Sequence, residues 1–274
     1  MRNLLYAGFS RLWRSASFWV AVGVMFAVSA VELALSYQPR LMGAEGILDN
    51  RYMIFVLMSG VVLSAFCSLF VGAEYSDGVM RNKIAVGHSR AAVYISNLVV
   101  CGVAGVLVCC GYILPMMAVG IPLLGPFTMS VRSLLWFTLC AFIMTAALCA
   151  VFTMIAMLNQ NKAVVAIICI FLAYFLLFLG IYLNARLTEQ AVIPAREYIE
   201  NGQIMVREAM PNPAYVQGVK RTVFELLYDL PGCQAVQLLA TAEDCPVRLP
   251  LVSLAAIAVS TGAGLALFRK KDLK

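Results

Sequence analysis

Long apolar runs separated by short polar segments dominate the chain. Six runs stand out, at residues 16–37, 52–71, 93–121, 134–158, 163–183 and 249–268. Each is long enough to cross about 30 Å of hydrocarbon as a helix, and none shows the apolar and polar alternation of a barrel strand. The pattern predicts an all-α membrane protein with six transmembrane helices.

The short segments between the runs differ in charge. Segments 1–15, 72–92, 159–162 and 269–274 together hold eleven Lys and Arg, whereas the loops at 38–51 and 122–133 hold Arg40, Arg51 and Arg132. Because positive residues accumulate in cytoplasmic loops, both termini, including the basic tail 269–274, are predicted to be cytoplasmic. The first run could be mistaken for a signal peptide, but its roughly 20 apolar residues exceed the usual length, so we expect an uncleaved helix.

An amphipathic pattern precedes the first run. At residues 1–15, apolar side chains recur at helical spacing, and polar ones gather opposite: Leu5, Phe9, Leu12 and Trp13 against Asn3, Ser10, Arg11 and Arg14. This spacing predicts an interfacial helix. A solvated tail with chance spacing is the alternative.

The connection at residues 184–248 is the one large polar segment, and the predicted topology places it outside the cytoplasm. Asn212 before Pro213 is a typical helix start, followed by apolar positions at helical spacing: Tyr215, Val219, Val223, Leu226 and Leu227. Pro231 and Gly232 would end this helix. We therefore expect a helical extracytoplasmic loop.

Composition supports a membrane protein and bears on its partners. The chain is 62% hydrophobic and 12% charged, and its net charge of +6 lies in clusters beside the apolar runs. No nucleic-acid partner is expected, because such partners need a basic stripe. Of the nine cysteines, only Cys233 and Cys245 lie in the outer loop. A disulfide between these two is predicted, with two free thiols as the alternative.

Catalytic residues are scarce in this sequence. His88 is the only histidine, so the zinc motif H-E-x-x-H cannot form, and the phosphate-loop motif G-x-x-x-x-G-K-[ST] does not occur. We predict no catalytic, cofactor-binding or metal-binding residues, and therefore no enzyme. Glu32 is the only carboxylate in the six runs. It lies near the outer end of the first run, either exposed at the interface or lining a substrate vestibule.

The segment between the second and third runs combines caps, charges and an apolar face. Ser76 or Asp77 can cap a short helix on which Met80 and Ile84 share one side, and Gly87 can end it in a left-handed conformation. Ser89 can cap the following span. The cytoplasmic loop 74–92 is thus predicted to carry a short helix that can transmit a push, the alternative being an ordinary interfacial turn.

This loop, GAEYSDGVMRNKIAVGHSR, resembles that of ABC type-2 permeases, in particular those of Gram-positive antimicrobial-peptide and bacitracin-type exporters. Residues 230–235, LPGCQA, are similar to the family's Leu-Pro-Thr-Gly-Gln segment with Gly-Cys replacing Thr-Gly, and FRKKDLK is similar to its usual ending. The resemblance implies that the loop docks into an ATPase subunit as a coupling helix. The implied contacts are Tyr75, Asp77, Gly78, Arg81, Asn82, Lys83 and Gly87. Lesser contacts would come from Asn159, Gln160, Asn161 and Lys162.

The same resemblance implies a function. The chain would be the permease subunit of an ATP-driven exporter in a bacterial cytoplasmic membrane, moving a hydrophobic or amphipathic substrate such as an antimicrobial peptide or a lipid. Its partners would be membrane lipid, an ABC ATPase that holds ATP and Mg²⁺, and a second permease copy or paralogue. The alternative is a sensor or immunity protein that binds a peptide through its outer loop without transporting it.

Overall fold

The computed structural model describes residues 1–41, 46–194, 196–200, 203–207, 209–240 and 246–271. Within them lie the helices α1 (Arg2–Arg14), α2 (Ala16–Leu41), α3 (Ile47–Tyr52), α4 (Ile54–Ser76), α5 (Val79–Ala85), α6 (Arg90–Leu124), α7 (Val131–Leu158), α8 (Lys162–Leu187), α9 (Val219–Tyr228), α10 (Gln234–Ala240) and α11 (Arg248–Lys270). The strands are β1 (Val192–Ile193), β2 (Arg196–Glu200), β3 (Gln203–Arg207) and β4 (Met210–Pro211).

Six helical segments of the described chain are long and apolar enough to cross a membrane. They are Ala16–Tyr37, Leu48–Ser76, Arg90–Leu124, Val131–Leu158, Lys162–Leu187 and Arg248–Lys270. The prediction of a helical protein with six candidate spans is confirmed. The second segment extends five residues beyond the predicted end at residue 71, and this extension places Glu74 on a helix rather than in a loop.

The spans pack into one bundle. Helix α2 packs on α6, α4 lies against α7 and α8, and α11 packs on α7 and α6. Glycines allow some of the closest approaches: a Cβ atom at Gly105 of α6 would lie 2.8 Å from the Cys149 sulfur of α7, and one at Gly264 of α11 would overlap the Tyr94 hydroxyl of α6. Close backbone contact of this kind is the usual source of helix association in lipid.

Helix α1 forms as predicted, but its buried face differs from the predicted one. Leu4, Gly8 and Leu12 are buried, whereas Trp13 is 52% exposed. Gly8 lies against Val100 of α6. Arg11, which the amphipathic pattern assigned to the polar face, instead turns toward the bundle and pairs with Glu74. A charged residue on the polar face of a helix, such as Arg11, can still form an ion pair with a neighbouring helix.

The connection between α8 and α11, which the sequence analysis places outside the cytoplasm and which we call the outer connection, is not helical throughout. The prediction of a helical loop is wrong for the residues that form β1 to β4. Strand β1 pairs antiparallel with β4, and β2 pairs antiparallel with β3 between them. The sequence Asn201-Gly202, which separates β2 from β3, is the dipeptide most typical of a two-residue hairpin turn. Helices α9 and α10 occupy the second half of the connection, where helix was predicted.

The predicted helix start at Asn212 is also wrong. Its side-chain oxygen accepts a hydrogen bond from the Ala214 amide at 2.9 Å, and its amide group donates to Glu189 and to the Gln190 carbonyl. These bonds form a turn beside the strands. The helix begins seven residues later, at Val219, after Gly218 with a φ of 61°. The apolar stripe of α9 faces outward, with Val219 83% exposed.

Candidate functional site

One end of the bundle carries α1, α5, the turn before α8 and the end of α11. We call it the basic end, because ten of the Lys and Arg in the described chain lie there: Arg2, Arg11, Arg14, Arg81, Lys83, Arg90, Lys162, Arg269, Lys270 and Lys271. The two sets of contact residues that the family resemblance implies, in the loop around α5 and at residues 159–162, both lie at this end. The rest of the site is built around α5.

Helix α5 has well-defined ends. Gly78 precedes it with a φ of 67°, and Gly87 follows it with a φ of 97°. After the last turn, the Gly87 amide donates to the Ile84 carbonyl at 2.9 Å and the His88 amide donates to the Lys83 carbonyl at 3.2 Å. The predicted stop at Gly87 is therefore confirmed. Left-handed glycines at both ends fix where the chain turns into and out of α5.

The predicted caps of this region are right at one position and wrong at another. Ser89 caps α6, accepting a hydrogen bond from the Ala92 amide at 3.2 Å. Neither Ser76 nor Asp77 caps α5, since the residue before that helix is Gly78, which has no capping side chain. Ser76 instead donates to the Gly72 carbonyl within α4. The reason is that α4 continues through Ser76, leaving only two residues between the helices.

Helix α5 buries one face and exposes the other. Met80 is fully buried, and Ile84 packs against the core, as predicted. The outward side, which we call the exposed tip, consists of Asp77, Arg81, Asn82, Val86 and Gly87. Val86 is 80% exposed. The tip thus offers a cation, an amide and an apolar side chain to a partner.

Two of the seven implied contacts point inward instead. The Tyr75 hydroxyl donates to the Met157 carbonyl at the end of α7, and the Lys83 amine pairs with the Glu74 carboxylate. Gly78 is half-buried. The implied set therefore divides into exposed residues that can meet a partner and residues that hold the loop to the bundle.

Glu74 is the centre of the arrangement and is only 1% exposed. One of its oxygens, Oε1, pairs with Arg11 Nη1 at 2.5 Å and with Lys83 Nζ. The other oxygen, Oε2, accepts a hydrogen bond from Asn97 Nδ2 at 2.8 Å. We call these four residues the Glu74 cluster. Its members come from four different helices, α1, α4, α5 and α6.

Electrostatics explain why this cluster is held together. A buried carboxylate is stable in its charged form only when cations and hydrogen-bond donors replace the water it has lost. Arg11 is itself well placed, with its guanidinium carbon 3.9 Å from the centre of the Phe70 ring. Since Glu74 binds α5 through Lys83, a displacement of α5 acts directly on α1 and α6.

The turn at residues 159–162 lies beside α4. Asn161 caps α8, accepting hydrogen bonds from the Ala163 and Val164 amides at 3.0 and 3.4 Å. Asn159 donates to the Ile155 carbonyl at 3.1 Å, while Gln160 and Lys162 are exposed. A Cβ atom at Gly72 of α4 would lie 2.7 Å from Lys162 Cβ. The turn is therefore a capped, closely packed element near the loop.

Glu32 lies at the opposite end of the bundle and is not isolated. Its carboxylate is 2.8 Å from Arg51 Nη1, and the Arg51 carbonyl accepts a hydrogen bond from the Tyr112 hydroxyl at 2.7 Å. These contacts connect α2, α3 and α6. Glu32 therefore takes part in an ion pair with α3, and its place in a substrate vestibule stays a prediction.

The predicted disulfide cannot be compared with the fold, because Cys245 lies outside the described residues. Cys233 lies between α9 and α10, where it is fully buried, and its thiol donates to the Leu176 carbonyl of α8 at 3.3 Å. Burial raises the pKa of this thiol to about 12. Gly232 packs closely against Leu176 as well, so the segment that includes Cys233 fits tightly onto α8.

Comparison with known proteins adds no identification. No protein-family model matches the chain, and no curated protein matches it. Within the described residues, no group of three or more His, Cys, Asp and Glu could hold a metal ion. The functional argument therefore rests on the geometry of the basic end and on the sequence of its loop.

Sequence reasoning missed three members of the Glu74 cluster: Glu74, Arg11 and Asn97. One signal could have revealed the first, because a single carboxylate directly after an apolar run of a membrane protein needs a partner. The identity of that partner could not be read from the sequence. Arg11 and Asn97 are 63 and 23 residues away from Glu74 in the chain.

Proposed function

We propose that this chain is the membrane-spanning permease subunit of an ATP-driven exporter and that α5 is its docking element for a separate ATPase subunit. One observation carries the proposal: a short helix with a polar exposed tip is joined through a buried ion cluster to three other helices. An ordinary interfacial turn needs no such connection. The resemblance of the loop to those of ABC type-2 permeases supports the same conclusion.

The mechanism follows from the connections of α5. Closure of the ATPase around nucleotide would displace the exposed tip, and Lys83 would transmit the displacement to Glu74 on α4. Arg11 and Asn97 would carry it on to α1 and α6. Rigid movements of packed helices are an established way to open and close a central path in the membrane, and the protein contributes the lever while its partner supplies the energy.

The partner's chemistry follows from the same division of labour. ATP and Mg²⁺ would be held by the ATPase, whose closure is the driven step. A second permease copy or paralogue would complete the path. The substrate would be hydrophobic or amphipathic, such as an antimicrobial peptide or a lipid, in the membrane of a bacterial cell with both termini in the cytoplasm.

Charge reversal at the exposed tip tests this proposal. We expect Arg81→Glu to reduce recovery of the ATPase with the purified permease, and ATP-driven export, by at least about tenfold, since a reversed charge at an interface costs more than about 1.4 kcal/mol. Recovery is measured by quantitative mass spectrometry after purification from native membranes in mild detergent.

Arg2→Glu is the matched control, because Arg2 is also exposed at the basic end but lies at the start of α1 and makes none of the contacts described around α5. It should leave recovery and export within about twofold of the wild type, as expected of a surface substitution outside an interface. Wild-type recovery and export in the Arg81→Glu variant would contradict the proposal.

A further inference from the structure

The loop that carries α5 begins after Tyr75, in the last turn of α4, and ends at Arg90, the first residue of α6. Both residues contact the end of α11. Arg90 Nη1 donates to the carbonyls of Phe268 at 3.3 Å and Arg269 at 3.2 Å, and also to the carbonyl of Lys271. We call Tyr75 and Arg90 the two hinges of the loop. The end of α11 therefore holds the Arg90 hinge.

Lys271 holds the other hinge. Its amine donates to the Tyr75 hydroxyl at 3.3 Å and to the Met157 carbonyl at 3.2 Å, and it lies 4.6 Å from the centre of the Tyr75 ring. Tyr75 itself donates to Met157. Burial lowers the pKa of the Lys271 amine, as expected for a lysine that turns away from solvent.

These contacts also satisfy the ends of helices. The last carbonyls of a helix lack partners within it, and cationic side chains commonly bind them. Arg90 serves the end of α11 in this way, and Lys271 serves the end of α7. If these cations served only as helix caps, they could lie anywhere in the bundle. Instead, Arg90 lies at one end of the loop that carries α5, and Lys271 contacts Tyr75 at the other end.

We propose that residues 268–271, the C-terminal brace, position α5 by holding both hinges of its loop, with Lys271 and Arg90 as positioning residues. Without the brace, α5 keeps its link to Glu74 but its hinges become mobile. The consequence for ATP coupling rests on the proposed function, because a lever transmits displacement only when its hinges are fixed. The effect on the mobility of α5 does not depend on that function.

Hydrogen exchange of the full chain in lipid nanodiscs, without any partner, tests the brace. We expect Lys271→Met to speed exchange of the amides at residues 79–88 about fivefold, the factor that corresponds to losing one net hydrogen bond. Lys271→Arg, which keeps a cationic donor, should retain slow exchange. Lys270→Met is the matched control, since Lys270 is exposed and has no ion pair within the described chain. Unchanged exchange in Lys271→Met, or an equal increase in Lys270→Met, would overturn the proposal.

A second measurement separates the brace from the proposed function. In the assembled transporter, Lys271→Met should lower the amount of substrate exported per ATP hydrolysed by at least about threefold at unchanged ATPase recovery, since substitutions along a coupling network commonly weaken coupling by such a factor. Lys271→Arg should restore the ratio. Faster exchange in Lys271→Met, in a chain that binds no ATPase, would support the brace and reject the proposed function. Wild-type exchange in Lys271→Met, in a chain that binds an ATPase and exports substrate, would reject the brace and leave the proposed function intact.

Discussion

Replacing Glu74 with alanine is expected to lower the free energy of unfolding by about 3 kcal/mol, because the change leaves two inward-facing cations without their partner. Arg11 is the more strongly affected, since its Nε and Nη2 atoms are buried and have no hydrogen-bond partner within the described residues. Denaturant unfolding of the chain in mixed micelles, followed by tryptophan fluorescence, measures the loss.

Asp77→Ala provides the control for this experiment. Asp77 is a carboxylate three residues further along the chain, directly after α4, and it is exposed. Its replacement should change the free energy of unfolding by no more than about 0.5 kcal/mol, as for most surface substitutions. Equal, small effects of the two substitutions would show that the Glu74 cluster does not stabilise the bundle.

Removing both cations of the Glu74 cluster should be far more harmful than the single changes suggest. Either Arg11→Met or Lys83→Met leaves Glu74 with one cation and with Asn97, so each is expected to cost about 1 kcal/mol. The double variant leaves a buried carboxylate with Asn97 alone among its described partners. We expect an additional loss of about 2 kcal/mol beyond the sum, within the range measured for residues that share a partner.

The matched pair for this cycle is Arg14→Met with Lys83→Met. Arg14 is a neighbouring arginine on α1 whose side chain is exposed, so these two changes should add without any interaction. The same unfolding measurement serves for all variants. Additive losses in the Arg11 and Lys83 pair would mean that the two cations act on Glu74 independently, against the shared geometry of Oε1.

The shared oxygen also has a consequence for movement. Because Arg11 and Lys83 bind the same oxygen of Glu74, a displacement of Lys83 acts on the atom that also holds Arg11. Breaking either contact would leave a buried carboxylate with less compensation for its charge. The shared oxygen therefore favours joint movement of α5, α4 and α1 over separation of α5 from the bundle.

The six spans and the loop around α5 could be predicted because each depends on local pattern. Apolar length identifies a span without knowledge of its neighbours. The left-handed stop at Gly87 and the cap at Ser89 depend only on residues within the same turn, and both are found. Met80 and Ile84 lie on one side of α5, as their spacing predicts, with Met80 buried and Ile84 partly buried against the core.

The bracing contacts could not be predicted because they join distant parts of the chain. The pattern at residues 1–15 assigns Arg11 to solvent, since nothing local indicates a carboxylate 63 residues later. The contact between Lys271 and Tyr75 spans 196 residues. A cluster of basic residues beside an apolar run is typical of a topology signal, and its contacts with the loop become visible only in the fold.

The prediction for the outer connection failed for a different reason. The apolar spacing from Tyr215 to Leu227 correctly predicted a helix, but Asn212 and Pro213 can begin either a helix or a turn. The Asn212 side chain donates hydrogen bonds to Glu189 and to the Gln190 carbonyl, which lie just before β1. The dipeptide Asn201-Gly202, a typical hairpin signal, was present in the sequence between the residues that form β2 and β3.

The most direct test of the central claim is to identify what α5 touches in native membranes. A photo-crosslinking amino acid placed at Val86, on the exposed tip, should capture an ATPase with a phosphate-loop motif, identified by mass spectrometry. The same probe at Val219, which is equally exposed on α9 of the outer connection, should not capture it. Capture of the ATPase from Val219 instead of Val86, or from neither position while Val86 captures only lipid, would contradict the claim that α5 docks the ATPase.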